Sequence, residues 1–151
     1  MIINYIINLM NKLSEVIKNF PDYKESFYTQ QKELTEEPYV LYVIVNKSLP
    51  MKSGKIASQV GHAIQKITEY CMVHEKKLWS YYCSNNYAKI VLKINDENKL
   101  LDILNDLKDV HKAYVVDEGR TQITPNSVTA IGFIPMLKKN APECIKQLKL
   151  L

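Results

Sequence analysis

Cysteine is scarce in this chain of 151 residues and carries no pattern. The three that occur, Cys71, Cys83 and Cys144, form no C-x-x-C pair and have no metal-ligand spacing. An odd count with no signal peptide evident leads us to expect free thiols in a reducing cytosol. Cys71 and Cys144 fall inside helical patterns and read as packing residues rather than nucleophiles. No run of ~18 apolar residues is present, which excludes an ordinary transmembrane helix. The first strand-to-helix loop, LPMKSGK, lacks the spacing of a Walker A sequence, and its one glycine, Gly54, is not a dinucleotide fingerprint. Internal repeats and low-complexity tracts are also absent.

What remains is an ordinary globular composition, 46% hydrophobic and 24% charged, long enough to bury a real core as one domain. The net charge of +4 is unevenly spread. Residues 1–37 hold four Lys against six acids, so residues 38–151 carry the positive excess, 16 basic against 10 acidic. A basic body suits a polyanionic partner, although many small enzymes are equally basic.

The N-terminal stretch MIINYIINLMNKLSEVIKNF places Ile2, Ile6, Leu9, Leu13, Val16 and Phe20 at helical spacing, one apolar stripe on an amphipathic helix. Pro21 stops it, and 22–37 is polar and reads as a linker. Residues 2–20 are therefore expected to dock on the body, on a second chain or on a membrane surface. Residues 38–151 form the main domain. YVLYVIVN (39–46) is a continuous β-branched and aromatic run, the mark of a strand covered on both faces. Ser53 to Tyr70 reads as a helix, His74 to Tyr82 as a shorter one and Tyr87 to Ile94 as a second strand. Asp96 to Asp109 reads as a helix capped by Asp96, with Leu100, Leu101, Leu104 and Leu107 inward. Ala113 to Val116 and Val128 to Ile134 are strands, and Ala141 to Leu148 a closing helix. Strands alternating with helices predict a three-layer α/β domain with a parallel or mixed sheet.

Two clusters carry possible chemistry. In LPMKSGKIASQVGHA, Ser53 is placed to cap a helix and Gly54 to let a ligand approach the backbone, so the helix start is a generic anion site. At ~100° per residue, Lys55, Gln59, His62 and Lys66 share one stripe beside an apolar face of Ile56, Val60, Ala63, Ile64 and Ile67. Ala57 and Gly61 are small enough for another backbone to come close. Lys55 in the first turn opposes the helix dipole unless an acid or anion lies nearby. The pattern alone fits a solvated face or a working one. The second cluster follows the third strand, in VVDEGRTQITPNSVTAIG. Asp117 sits at a strand's C-terminal end, the edge where open α/β sheets bind ligands. Gly119 permits a sharp turn and Asn126 tolerates left-handed geometry. Turn chemistry does not account for Arg120, Thr121 and Gln122.

D-E-G-R-T-Q-I-T-P-N-S-V-T resembles the D-A-G-R-T-Q-I-x-P-G-S-x-T signature of the archaeal and eukaryotic type of peptidyl-tRNA hydrolase. M-K-S-G-K-I-A-S-Q-V-G-H-A resembles that family's M-G-K-G-K-x-A-A-Q-x-x-H-A. Leu148 to Leu151 match its closing L-K-L-L, and Trp79 stands where a Trp is usual. The likeness runs from about Tyr39 to Leu151 and leaves residues 1–37 uncovered. It implies a mixed four-stranded sheet between helices, a homodimer, and hydrolysis of the ester joining a peptide to tRNA, with no metal or other cofactor. Carried across, the catalytic residues are Lys55, Asp117 and Thr121, supported by Gln59 and His62. Contacts to tRNA fall to Lys52, Ser53, Gly54, Arg120, Gln122, Lys138 and Lys139, reading phosphates rather than bases. Lys89 and Lys93 on the second strand read as charges that protect a sheet edge. The chain departs from the family at Ser53, where a Lys is usual and Lys52 stands one place earlier. It also departs at Asn46 for Arg, Glu118 for Ala and Asn126 for Gly.

The residue types suit ester hydrolysis. A preorganised donor aimed at the developing oxyanion is worth ~3 kcal/mol, and Lys55 is placed to supply it. Asp117 takes a proton from water or fixes Lys55, and Thr121 holds the water. An Asp–Lys pair tends to keep both groups charged, which weakens the carboxylate as a base. Asp117 is therefore expected to orient Lys55, with water as the nucleophile.

Overall fold

The computed structural model describes residues 2–18, 37–117 and 126–151. The chain divides into two compact units, Met1–Lys32 and Glu33–Leu151. In the first, α1 (Ile2–Lys18) forms where the apolar spacing predicts it. Phe20 and the 22–36 stretch lie outside the described residues. No helix among the described residues is long and apolar enough to cross a membrane.

The second unit is built on β1 (Tyr39–Asn46), in which Val40 through Asn46 are all buried. Its even-numbered side chains, Val40, Tyr42 and Ile44, enter a core with Leu92, Ile94, Ile131 and Phe133 of the sheet and Leu100, Ile103 and Ile145 of the helices beneath. Val45 on the other face packs with Met51 and Ile56. A strand buried on both sides cannot show alternation, which is why the run is apolar throughout.

Helix α2 (Ser53–His74) and α3 (Lys76–Ser84) cover that second face, and α4 (Glu97–Asp106) with the single turn α5 (Glu143–Lys146) covers the first. This is the expected three-layer α/β arrangement. The strands β2 (Lys89–Ile94), β3 (Lys112–Val116) and β4 (Val128–Phe133) join β1 in the order β3-β4-β1-β2. β1 and β2 are parallel, while β4 runs antiparallel to both β1 and β3. Two short strands extend this mixed sheet. β5 (Met136–Leu137) pairs with the start of β1, and β6 (Lys149–Leu150) with β2.

Several boundaries differ from the sequence expectation for physical reasons. α2 runs one turn beyond Tyr70 because Cys71, fully buried, continues the inward row Ala63–Ile67–Cys71; α3 accordingly starts after Glu75. β2 begins two residues late because Asn86 and Tyr87 both take positive φ, 60° and 54°, and cannot join a ladder. On α4, Leu101 is exposed and Ile103 is buried in its place, since Leu101 lies a quarter turn from Leu100. Asp96 caps the helix as predicted, accepting from the backbone N–H groups of Asn98 and Lys99. The closing helix shrinks to one turn after Pro142, and the chain then returns to the sheet as β6.

Candidate active site

The C-terminal ends of β1, β2 and β3 lie at one edge of the sheet, and α2 begins there. The pairing puts Asn46 beside Ile94, and Val116 opposite Val128. α2 has no acid in its first turn, so the Lys55 ammonium needs negative charge from elsewhere. It comes from Asp117, 62 residues away. Lys55 Nζ donates to Asp117 Oδ2 at 2.8 Å, with the two side chains only 13% and 12% exposed.

The backbone around Asp117 is held from both sides. Its N–H donates to the Ser127 carbonyl at 3.0 Å, and its carbonyl accepts from the Asn126 N–H at 2.8 Å. Those bonds hold Asp117 against Asn126 and Ser127, and Asn126 takes φ 69° there, as its residue type allows. One residue further on, the β3–β4 ladder slips between Val115 and Val116. Ala130 faces Val115 and Val128 faces Val116, so Thr129 is the extra residue of a β-bulge. The bulge turns its side chain toward α2. There the fully buried Thr129 hydroxyl meets Gln59 Oε1 and, at 3.1 Å, the Val115 carbonyl. A hydroxyl has one proton to give; both contacts are satisfied when the Gln59 amide presents its NH2 to Thr129 and the hydroxyl donates to Val115. Gln59 thus ties α2 to the strands that present Asp117. Lys66, two stripe positions further along α2, donates to the Tyr114 carbonyl at 2.9 Å and adds a second tie.

The other anticipated residues separate into groups. His62 is exposed, with Nε2 3.4 Å from the Ser58 hydroxyl, and the structure does not bring it to the Lys55–Asp117 pair. Lys52, Ser53 and Gly54 are exposed at the start of α2. Lys52 rather than Ser53 occupies the cap position, and no side chain caps the helix. Ala57 is exposed and Gly61 faces open space; the close backbone approach is instead at Gly132 of β4, under Ala63 and Ile67. Lys138 and Lys139 lie in a 3-10 turn after β5, which pairs with the start of β1, so they sit at the opposite edge of the sheet from Lys55. Thr121, Arg120, Gln122, Glu118 and Gly119 lie outside the described residues. Lys93 does not guard an edge, being flanked by Val45 and Lys149. The Lys89 ammonium lies 5.5 Å and 5.6 Å from the ring centres of Tyr82 and Tyr87.

Two contributors escaped the sequence reading. Thr129 carried no signal, because a single Thr in VTAIG looks like any strand residue. Asn46 stood out only as a departure from a family pattern. Buried at the end of β1, it donates to the Val128 carbonyl at 3.1 Å and accepts from the Ser48 N–H and hydroxyl. It therefore fixes the turn into α2 against the start of β4. Among the described residues, no three His, Cys, Asp or Glu side chains gather in a way that could hold a metal.

The family model described as "Peptidyl-tRNA hydrolase PTH2" matches residues 39–151. The chain belongs to that family. Named relatives agree in extent. A peptidyl-tRNA hydrolase of Methanococcus vannielii is 31% identical over 115 residues, covering 75% of this chain and 99% of the relative. One from Thermoplasma acidophilum is 30% identical over 113 residues, covering 74% and 97%. One from Staphylothermus marinus is 30% identical over 120 residues, covering 78% and 99%. The matched region of this PTH2 member begins where β1 begins and contains every residue of the Lys55–Asp117 assembly.

Proposed function

We propose that this peptidyl-tRNA hydrolase cleaves the ester between peptide and tRNA at the Lys55–Asp117 pair, with water as the nucleophile. The observation that carries the reading is the 2.8 Å contact between Nζ and Oδ2, largely shielded from solvent at the ligand-binding edge of the sheet. In this proposal Asp117 orients the ammonium, and Lys55 donates to the ester carbonyl oxygen as it gains charge. Water adds to the carbonyl carbon and the bond to the ribose oxygen breaks. One water proton ends on the ribose hydroxyl, and the other leaves as the new carboxylic acid ionises. Thr121, four residues past Asp117, is assigned to hold the water. Gln59 is a positioning residue acting through Thr129, and exposed His62 is assigned to the RNA-facing surface of α2. Lys52, Ser53, Gly54, Arg120 and Gln122 would meet the tRNA near the ester, and Lys138 and Lys139 a more distant part of its backbone.

The proposal extends to a cytoplasmic homodimer with two functional segments. Residues 38–151 carry the chemistry, and 1–37, with the apolar stripe of α1, serve a protein or membrane-surface partner. Sedimentation of the full chain should then give twice the monomer mass, and removal of 1–37 should leave hydrolysis intact.

The test of the activity is release of N-acetyl-aminoacyl groups from a blocked aminoacyl-tRNA, with the unblocked form as control. Cleavage of the blocked substrate alone supports the proposal. A folded protein that cleaves neither overturns it.

A further inference from the structure

On the flank of α2 away from β3 lies a cavity of about 470 Å³. Its walls are aliphatic, from Ile56 and Val60 of α2, Val91 of β2 and Leu151, while Lys47 and Lys93 stand among them. A third cation adjoins. Lys149 of β6 is directly opposite Lys93, and paired residues of antiparallel strands project from the same face. Like charges directly opposite one another destabilise a sheet. Among the described residues, none of these three lysines lies within ion-pair distance of a carboxylate that would offset the repulsion. The cavity adjoins the first turns of α2, and Lys55 is the immediate neighbour of its wall residue Ile56. Only the width of one helix, about 10 Å, lies between the two flanks.

An apolar slot ringed by unpaired cations suits a ligand with a flat uncharged face and an anionic tail. We propose that this cavity receives a nucleotide of the single-stranded 3′ end of tRNA. The base lies against Ile56, Val60, Val91 and Leu151, and its phosphates meet Lys47, Lys93 and Lys149. The inference rests on the tRNA reading above and adds the subsite that seats the acceptor end while the ester crosses α2 to Lys55. Phosphate contact also accounts for the paired lysines, whose mutual repulsion a polyanion relieves.

The test measures binding of deacylated tRNA, which needs no catalysis, to the full chain and to three variants. Wild type should bind intact tRNA about tenfold more tightly than the same tRNA lacking its terminal adenosine, a modest base-contact increment. Val60→Trp, which fills the slot, should bind both equally. Lys93→Ala and Lys149→Ala should each lower the slope of log affinity against log salt by about one, yet leave thermal stability unchanged or raised. A truncation penalty that survives in Val60→Trp, or salt slopes that do not move, overturns the proposal. So does a Val60→Trp defect in KM that varies with the aminoacyl side chain instead, since the cavity would then hold the peptide end. Because hydrolysis is not the readout, an inactive wild type that still shows these binding effects refutes the catalytic assignment alone.

Discussion

Gly132 is where helix and sheet come closest, and adding one methyl group there makes a sharp test of the architecture. A Cβ on Gly132 would lie 3.0 Å from the Ala63 carbonyl oxygen, 3.1 Å from Ile67 Cγ1 and 3.3 Å from the Ala63 carbonyl carbon. Two of those atoms are helix backbone and the third belongs to a fully buried side chain, so none can swing aside. α2 or β4 must recede by a few tenths of an ångström, at a cost of about 1–3 kcal/mol for overpacking. For a chain of this size each kcal/mol lowers Tm by roughly 4 °C, so Gly132→Ala should melt about 4–12 °C early. The same displacement carries Lys55 and Gln59 away from Asp117 and Thr129, and misplacement on the ångström scale can cost ~100-fold in rate. A several-fold loss of kcat should accompany the lower Tm. Gly61→Ala is the control. A Cβ there meets nothing within 4 Å, and Ala is favoured over Gly inside a helix by about 0.5–1 kcal/mol. Thermal melts of both proteins, followed by circular dichroism, should therefore move in opposite directions. A Gly132→Ala protein with wild-type Tm and rate would refute the close-packing argument, as would a Gly61→Ala protein that is the less stable of the two.

Other outcomes follow from buried and titrating groups. The Tyr82 hydroxyl is buried with no hydrogen-bond partner among the described residues, so Tyr82→Phe should raise Tm by a few degrees, the unmet group costing about 1–3 kcal/mol; a lower Tm would mean the hydroxyl is satisfied. Burial, then Lys112 and His74, push the His111 pKa down, against a smaller upward pull from Glu75, and its ring stacks on Tyr70. In the window below the ordinary histidine value the unfolded chain binds the proton more readily, so His111 destabilises the fold as pH falls through that window. His111→Gln should then lose less Tm than wild type between pH 7 and pH 5; an equal loss would contradict this. Burial first and Glu75 second push the Cys71 thiol up to about 11, and burial raises Cys83 and Cys144 as well. Ellman's reagent should label the buried Cys71 and Cys83 quickly only after denaturation, and rapid labelling of Cys71 in native protein would show that α2 opens.

The legible part of the fold was the part fixed by local periodicity. The apolar run at 39–46, the inward row of α2 and the Asp96 cap each follow from neighbours a few residues apart. β6 went unread as a strand because its two residues are extended only by their pairing with β2. Thr129 faces α2 because of a bulge, and a bulge is set by the partner strand rather than by composition. The Lys55–Asp117 contact was half legible. The misplaced cation in the first turn of α2 asked for an acid, and the strand-end position of Asp117 offered one. Pairing them across 62 residues needed the family motifs. Lys93 misled, since a lysine in a strand ordinarily marks an edge and β6 covers that edge.

The central claim is that Lys55 and Asp117 act as one catalytic unit. The most direct test is a double-mutant cycle on hydrolysis of N-acetyl-aminoacyl-tRNA, comparing wild type, Lys55→Ala, Asp117→Ala and the double variant, with folding checked by thermal melts. Each single change should lower kcat by about 100-fold or more. The double variant should be no worse than the poorer single one, because groups that work together are lost together. Effects that multiply, or folded single variants that keep wild-type turnover, would contradict it.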